Sequence, residues 1–119
     1  MSVSDHRQLV AWQKGIALSL ETYRISRRFP REETYGLTSQ IRRAAVSVPA
    51  NLAEGNGRIH RAEYAHFVSV ARGSLREVDT LIEIALGLGY LKEQELANTS
   101  ELLDHLGRML TRLLKRLEG

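Results

Sequence analysis

Apolar residues recur every three or four positions along almost the whole chain, a spacing that places them on one side of a helix. The pattern predicts four helices, at about residues 5–29, 31–54, 61–88 and 92–117. On each helix one set of apolar positions is expected to face a common core. These are Leu9, Trp12, Ile16, Leu20 and Tyr23 on the first helix, and Leu37, Ile41, Ala45, Val48 and Leu52 on the second. They are Tyr64, Phe67, Ala71, Leu75, Val78, Ile82 and Ala85 on the third helix, and Leu96, Leu103, Leu106, Leu110, Leu113 and Leu117 on the fourth.

Proline, glycine and polar residues mark the expected helix ends. Asp5 is a residue type that caps helix N-termini, and Pro30 ends the first helix because the residue before a proline avoids the helical conformation. Pro49 lies inside the second helix, where its missing N–H and its ring predict a kink near Ala45. The glycine-rich residues 55–57 then favour a left-handed C-cap.

Long helices joined by short turns favour antiparallel neighbours. A chain of 119 residues has the size of one domain. The predicted fold is therefore all-α, with a single domain over residues 1–119 built as an antiparallel up-down-up-down four-helix bundle.

The composition excludes several classes of protein. The absence of cysteine excludes disulfides and thiolate chemistry, and it fits a reducing cytoplasm, although exported proteins can also lack cysteine. The first residues lack the apolar stretch of a signal peptide, and no apolar run reaches the length of about 18 residues expected for a membrane helix. We therefore expect a cytoplasmic protein that has no membrane partner.

The third and fourth helices carry more apolar residues than one bundle face requires. Those outside the core positions are Val70, Leu81, Ile84 and Leu88 on the third helix, and Leu102, Met109 and Leu114 on the fourth. Broad helix contacts in a tight bundle are one explanation for them. A subunit interface is another, because large exposed apolar patches are uncommon on soluble monomers.

The second helix carries a polar stripe beside its core face. Its residues are Gln40, Arg43, Ser47, Asn51, Glu54 and Arg58, and Ser39, Val46, Ala50 and Ala53 flank it on the side away from the core. Apolar surface on both sides predicts that the stripe is partly buried, and buried charges need partners. We therefore expect Arg43 and Glu54 to be paired, within the chain or across a subunit boundary, and we expect a homo-oligomer.

Arginine supplies 14 of the 17 basic residues of a chain whose formal charge is +3. Arg108, Arg112 and Lys115 share one face of the fourth helix, opposite its leucines, and Arg116 lies nearby. These cations either solubilise the helix end and complement its dipole or contact nucleic-acid phosphates. Further arginines that could contribute on other faces are Arg42, Arg58, Arg61, Arg72 and Arg76.

Residue patterns for catalysis or metal binding are weak. Glu63-x-x-His66 matches half of the motif of carboxylate-bridged di-iron bundles, which require a second copy and two further inward glutamates. Gly55-x-Gly57 is too short for a dinucleotide-binding loop, and no serine or histidine has a recognisable triad partner. We therefore expect no catalytic residue, no cofactor and no metal, with His66 at the surface or in an interface.

One run of the second helix carries a family signature. Residues 35–58 read Tyr-Gly-Leu-Thr-Ser-Gln-Ile-Arg-Arg-Ala-Ala-Val-Ser-Val-Pro-Ala-Asn-Leu-Ala-Glu-Gly-Asn-Gly-Arg, and the matching pieces elsewhere are Val10-Ala11-Trp12, Phe29-Pro30, Glu63-Tyr64, Phe67, residues 73–77 and Leu88-Gly89-Tyr90. In these pieces, which span nearly the whole chain, the protein resembles the four-helix-bundle family of 23S rRNA intervening-sequence proteins. Ile59-His60-Arg61 departs from the pattern, because family members often place a serine or threonine cap there.

The resemblance implies an antiparallel four-helix bundle that assembles into a ring-like homopentamer. It supplies no catalytic residues, and a similar bundle is a nucleic-acid-contacting accessory protein of retroelement reverse transcriptases. Our hypothesis is a non-enzymatic homo-oligomer that binds RNA or DNA electrostatically through arginine-rich surfaces. The alternative is a protein–protein interaction scaffold that makes no direct contact with nucleic acid.

Overall fold

The computed structural model describes residues 6–119. They form four α-helices: α1 (Val10–Ser26), α2 (Leu37–Asn56), α3 (Arg61–Gly87) and α4 (Ala97–Glu118). Short 3-10 turns at His6–Gln8, Arg31–Glu33 and Glu93–Glu95 precede α1, α2 and α4. No β-strand occurs in residues 6–119, so the all-α prediction is confirmed.

The four helices run alternately up and down the bundle. One group of core side chains joins the starts of α1 and α3 to the ends of α2 and α4: Ala11, Leu52, Val68 and Leu110 belong to it. A second group joins the opposite ends, with Ile25, Ile41, Ile82 and Leu96 among its members. Such a pairing of ends is that of an antiparallel up-down-up-down bundle. The bundle measures 44 × 24 × 23 Å.

The face of α1 that was predicted to enter the core does not do so. Ile16, Leu20 and Tyr23 are exposed, whereas Leu9 and Trp12 are partly buried. The buried residues of α1 are Ala11, Gly15, Leu18, Ser19, Thr22, Ile25 and Ser26. Most of them are small because α1 lies very close to α2, and this close approach leaves no room for bulky apolar side chains.

The contact between Gly15 and Pro49 defines how closely α1 approaches α2. A Cβ atom on Gly15 would lie 3.1 Å from Cβ of Pro49 and 3.3 Å from its Cδ, so glycine alone fits without displacing the ring. Pro49 cannot donate a hydrogen bond to the carbonyl of Ala45, one turn earlier. The hydroxyl of Ser19 shares its one proton between that carbonyl, at 3.2 Å, and the carbonyl of Gly15, at 3.1 Å. α1 thus satisfies the acceptor that the proline leaves free, and α2 continues through Pro49 to Asn56.

α2 begins at Leu37 rather than at Arg31 because Glu33 caps it there. Oε1 of Glu33 accepts the backbone N–H of Leu37 at 3.0 Å, a donor that has no partner within the helix. Oε2 of the same residue accepts the hydroxyl of Tyr90 at 3.0 Å, and this hydrogen bond raises the pKa of Tyr90. One carboxylate therefore fixes the start of α2 and ties it to the turn between α3 and α4.

Other helix ends also differ from the prediction. α1 begins at Val10, and α4 begins at Ala97 after a 3-10 turn. Asp5, the predicted cap of α1, lies outside the described residues. Gly57 has a right-handed φ of −82°, so the left-handed cap predicted at residues 55–57 is wrong. The N–H of Gly57 bonds back to α2 carbonyls without any change of hand.

Three residues that were predicted to lie outside the core are buried in it: Leu81, Leu102 and Leu114. Each lies at the edge of its helix's apolar stripe. Both α3 and α4 contact a neighbouring helix on each side, so edge positions are covered as well as central ones. The excess apolar surface is therefore smaller than predicted. Val70, Ile84 and Leu88 of α3 remain exposed.

Candidate nucleic-acid interface

A groove of about 650 Å³ lies on the protein surface between α3 and α4. Its charged lining residues are Arg72, Arg76 and Asp79 from α3 and Asp104, Arg108 and Arg112 from α4. Four guanidinium groups thus meet two carboxylates in one place. None of the lining residues is aromatic.

A glycine and the spacing of the arginines explain this groove. Gly107 lies on α4, and a Cβ atom there would meet only Cδ2 of Leu75, at 4.0 Å, so the missing side chain leaves open space. Arg72 and Arg76 are four residues apart, which places them about one helical turn or 6 Å from each other along the axis. Arg108 and Arg112 have the same spacing. Since α3 and α4 pack against each other, both arginine pairs line the same groove.

Most of these guanidinium groups are not neutralised by nearby carboxylates. Arg108 forms an ion pair with Asp104 at 3.0 Å, and both side chains are exposed. Exposed pairs of this kind contribute little and are easily exchanged. Within residues 6–119, the side chains of Arg72, Arg76 and Arg112 form no hydrogen bond or ion pair. The groove therefore offers arginines that are available to an anion.

The structure brings together two of the four basic residues predicted to contact nucleic acid. Arg108 and Arg112 line the groove, whereas Lys115 and Arg116 lie in the last turn of α4, beyond it. The carbonyl of Arg116 accepts a hydrogen bond from the side chain of Arg61, which ties the end of α4 to the start of α3. All four predicted residues are exposed, and their contact with nucleic acid stays a prediction.

Sequence reasoning placed Arg72 and Arg76 on a separate face and did not single out Gly107. The four-residue spacing of each arginine pair was visible, but it does not show which pairs meet. The antiparallel pairing of α3 with α4 supplies that information. A glycine within a helix, opposite a second basic helix, is the signal that could have indicated the groove.

The polar stripe of α2 lies along its seam with α3. The hydroxyls of Ser47 and Ser74 are 2.8 Å apart and share a hydrogen bond. The amide of Asn51 donates to the Ser47 carbonyl at 2.8 Å. The amide of Gln40 donates to Oε2 of Glu77 at 3.4 Å. Much of the stripe thus has partners in its own chain.

The charged members of the stripe differ in their partners. Glu54 forms an ion pair with Arg58 at 2.6 Å, and the guanidinium of Arg58 lies 5.0 Å from the ring centroid of Phe67. Glu54 is therefore paired within its own chain. Arg43 is exposed, and its side chain has no ion pair or hydrogen bond within the described part of the chain. A partner for Arg43 across a subunit boundary stays a prediction.

Exposed large apolar side chains of α1, α2 and α3 form two patches. The α1–α2 patch consists of Ile16, Leu20, Tyr23 and Val46, and the α3 patch consists of Val70, Ile84 and Leu88. Tyr23 and Val46 also line a depression of about 550 Å³ together with Tyr35. Leu20 is the most exposed member of either patch, at 68%.

Some ionisable residues outside the groove, such as Glu21 and His66, form structural contacts. The hydrogen bond and charge of Arg24 lower the pKa of Glu21, which also accepts the hydroxyl of buried Thr99 at 3.2 Å. Glu63 and His66 are exposed at the start of α3, and the His66 ring packs edge-on against Phe67. No group of three metal-ligating side chains occurs in the part of the chain that the structure describes. Nor does any helix there have the length and apolarity needed to cross a membrane.

Residues 7–112 match the family model described as 23S rRNA-intervening sequence protein. A similar solved structure is a protein of unknown function from the S23 ribosomal protein family of Bacteroides thetaiotaomicron, with a TM-score of 0.81 over 89% of this chain and 99% of that one. The two sequences are 17% identical, so this likeness shows the fold alone. Among curated proteins, none matches this chain significantly. Since the family match runs from the turn before α1 into α4, the chain belongs to the 23S rRNA-intervening sequence protein family.

Proposed function

We propose that this protein is a non-enzymatic homo-oligomer that binds RNA or DNA electrostatically, through arginine-rich surfaces, in the cytoplasm. The observation that carries the proposal is the meeting of four arginines in the α3–α4 groove, three of them without an acidic partner in residues 6–119. Guanidinium groups bind phosphate oxygens with two parallel hydrogen bonds. The family's name, which refers to ribosomal RNA, makes RNA the first ligand to test.

Local concentration of arginine matters more here than the charge of the whole chain. A formal charge of +3 does not by itself indicate a nucleic-acid ligand. Each phosphate that an arginine neutralises releases counterions, and the affinity rises with the number of phosphates contacted. Because the groove has no aromatic residue for base stacking, binding is expected to depend on salt and little on sequence.

Self-assembly would repeat the groove once in every subunit. The α1–α2 patch and the α3 patch are not equivalent, so contact between one patch and the other on a neighbouring copy would be head-to-tail. Head-to-tail contacts produce a ring when the rotation closes. The homopentamer that the family resemblance implies is such a ring. Arg43, beside the α1–α2 patch, would then lie at a subunit boundary and could form an ion pair with a neighbouring copy.

A protein–protein interaction scaffold is the second candidate, and Tyr35 favours it. This tyrosine is 96% exposed in the turn before α2, and it borders the depression that Tyr23 and Val46 also line. Exposed tyrosines next to apolar surface are enriched in protein interfaces. A scaffold would use this surface and would leave the arginine groove without a ligand.

Fluorescence anisotropy with a structured ribosomal RNA fragment and with random RNA separates the two candidates. At about 50 mM salt, where electrostatic contacts are strong, we expect both RNAs to bind, because the contacts are to phosphates and not to a particular sequence. The double variant Arg108→Gln/Arg112→Gln should bind at least about tenfold more weakly, because two phosphate contacts are lost. Absence of binding by the unmodified protein under these conditions would reject the nucleic-acid proposal and favour the scaffold.

A matched control removes the same charge elsewhere. Arg27 and Arg31 are exposed near the turn between α1 and α2 and do not line the groove. Arg27→Gln/Arg31→Gln lowers the net charge by the same amount as the groove variant. It should bind RNA almost as tightly as the unmodified protein. Equal loss in both double variants would show that only net charge matters.

A further inference from the structure

We infer that the α3–α4 groove holds the sugar–phosphate backbone of a single nucleic-acid strand, with the bases directed outward. The inference rests on the proposed nucleic-acid binding and specifies its ligand. It follows from the position of the groove between two packed helices, from the chemistry of its lining and from the open space at Gly107.

The groove is a furrow between two packed helices. Axes of packed helices lie about 8–10 Å apart, so the space between their outer side chains admits one extended strand. A double helix is broader than its own major groove, which is about 12 Å wide. It can therefore touch only the rim of such a furrow. The arginine pairs stand on both sides, and a strand within the furrow can reach guanidinium groups from both helices.

The lining residues match a backbone better than they match bases. Leu75 and Leu103 offer apolar contact for sugars, and the hydroxyls of Ser100 and Thr111 offer polar contact beside the arginines. Thr111 donates its hydroxyl to the carbonyl of Gly107 at 2.9 Å, so its oxygen stays free to accept a hydrogen bond. Since no aromatic ring is present, the bases have no surface on which to stack.

Gly107 keeps the furrow open, and this allows a test that leaves every charge in place. Gly107→Leu adds a side chain to the groove, and the first added atom meets only Leu75 at an ordinary 4.0 Å. Leucine also favours the helical state over glycine, so the variant should remain folded. Gly73 is a matched control, because it lies within α3, meets no atom within 4 Å of an added Cβ, and does not line the groove.

The experiment measures the binding of a short oligouridylate, an oligothymidylate and a blunt duplex of the same length to the unmodified protein, Gly107→Leu and Gly73→Leu. We expect the unmodified protein to bind the single strands more tightly than the duplex. Gly107→Leu should bind the single strands at least about tenfold more weakly, because the strand can no longer reach all four arginines. Gly73→Leu should bind as the unmodified protein does. The two single strands show whether the groove prefers RNA or accepts any backbone.

Asp79→Asn is a second test variant, for which we expect a gain in affinity. The carboxylate of Asp79 lines the groove and forms no ion pair or hydrogen bond with the rest of residues 6–119. Its removal should tighten single-strand binding at low salt, with a smaller gain at high salt because the repulsion is then screened.

The possible results separate the groove from the wider proposal. If the unmodified protein and Gly107→Leu bind single strands equally well, or if the duplex binds more tightly than the single strands, the groove is not the site, while nucleic-acid binding stands. If the unmodified protein binds none of the three probes, the proposed function fails and the groove inference fails with it.

Discussion

Replacing Leu20 with glutamate should break the assembly without unfolding the subunit. Leu20 is 68% exposed on α1, and it belongs to neither group of buried core residues. Substitutions at exposed positions usually change the free energy of unfolding by about 0.5 kcal/mol or less. A change in assembly would therefore report on the contact between subunits and not on the fold.

The magnitude follows from the surface that Leu20 leaves exposed. Complete burial of a leucine side chain contributes about 1.5–3 kcal/mol, so burial of the exposed two-thirds contributes about 1–2 kcal/mol for each contact. An unpaired carboxylate in an apolar contact costs further free energy. A combined loss of about 3 kcal/mol weakens each contact more than about a hundredfold.

Size-exclusion chromatography with light scattering, at micromolar concentration, measures the result. The unmodified protein should elute as a multiple of the 13.4 kDa chain, and Leu20→Glu should elute at a lower mass. Ile59→Glu is the control, because Ile59 is 91% exposed in the turn between α2 and α3 and lies in neither patch. The reasoning is refuted if Leu20→Glu keeps the mass of the unmodified protein, or if the unmodified protein is a monomer.

Two further predictions concern stability. Gly55→Ala should lower the free energy of unfolding by about 2 kcal/mol, because the added Cβ would lie 2.8 Å from Cβ of Phe67. In thermal denaturation the melting temperature of Gly55→Ala should fall by about 6–10 °C. Gly73→Ala, with open space around the new atom, should instead raise the free energy of unfolding by about 0.5–1 kcal/mol. Equal changes in stability for the two variants would contradict the packing argument. The lowered pKa of Glu21 means that its bond with Arg24 stabilises the fold above the usual carboxylate pKa and is lost as the pH falls through the lowered value. Urea unfolding at about pH 7 and about pH 3 should therefore show a smaller acid loss for Glu21→Gln than for the unmodified protein, and identical losses would contradict this role.

The sequence predicts the four helices and the core face of α2 well, for a physical reason. Leu37, Ile41, Ala45, Val48 and Leu52 are all buried, as their helical spacing indicates. On this helix the apolar residues on the core side are mostly large, regularly spaced and continuous over about four turns. Hydrophobic periodicity is then a sufficient guide to the buried face.

The same reasoning was wrong for α1 because helix packing selects for size as well as for hydrophobicity. Gly15, Ser19 and Thr22 face the neighbouring helices, where close approach requires small side chains. Bulky Ile16 and Leu20 form a second stripe that the subunit leaves exposed. On α1, the stripe of large apolar residues therefore lies on the exposed face and not in the core. The contact between Gly15 and Pro49 shows which stripe of α1 faces inward, and the spacing of apolar residues does not reveal that contact.

The arginine groove could be predicted only in part. Helical spacing places Arg108 and Arg112 on one face of α4, and the structure agrees. Their proximity to Arg72 and Arg76 depends on how α3 and α4 align along their lengths, and the spacing within one helix carries no information about that alignment. The groove includes the space left by the absent side chain of Gly107, and an absent side chain adds nothing to a hydrophobic pattern.

The salt dependence of RNA binding by the unmodified protein tests the central claim most directly. If the four groove arginines each neutralise one phosphate of a single strand, the logarithm of the affinity should fall against the logarithm of salt with a slope of about −3. Between about 50 mM and about 200 mM salt the affinity should then fall by about fiftyfold. Binding that is absent at the lower concentration, or that does not change across this range, would contradict the account.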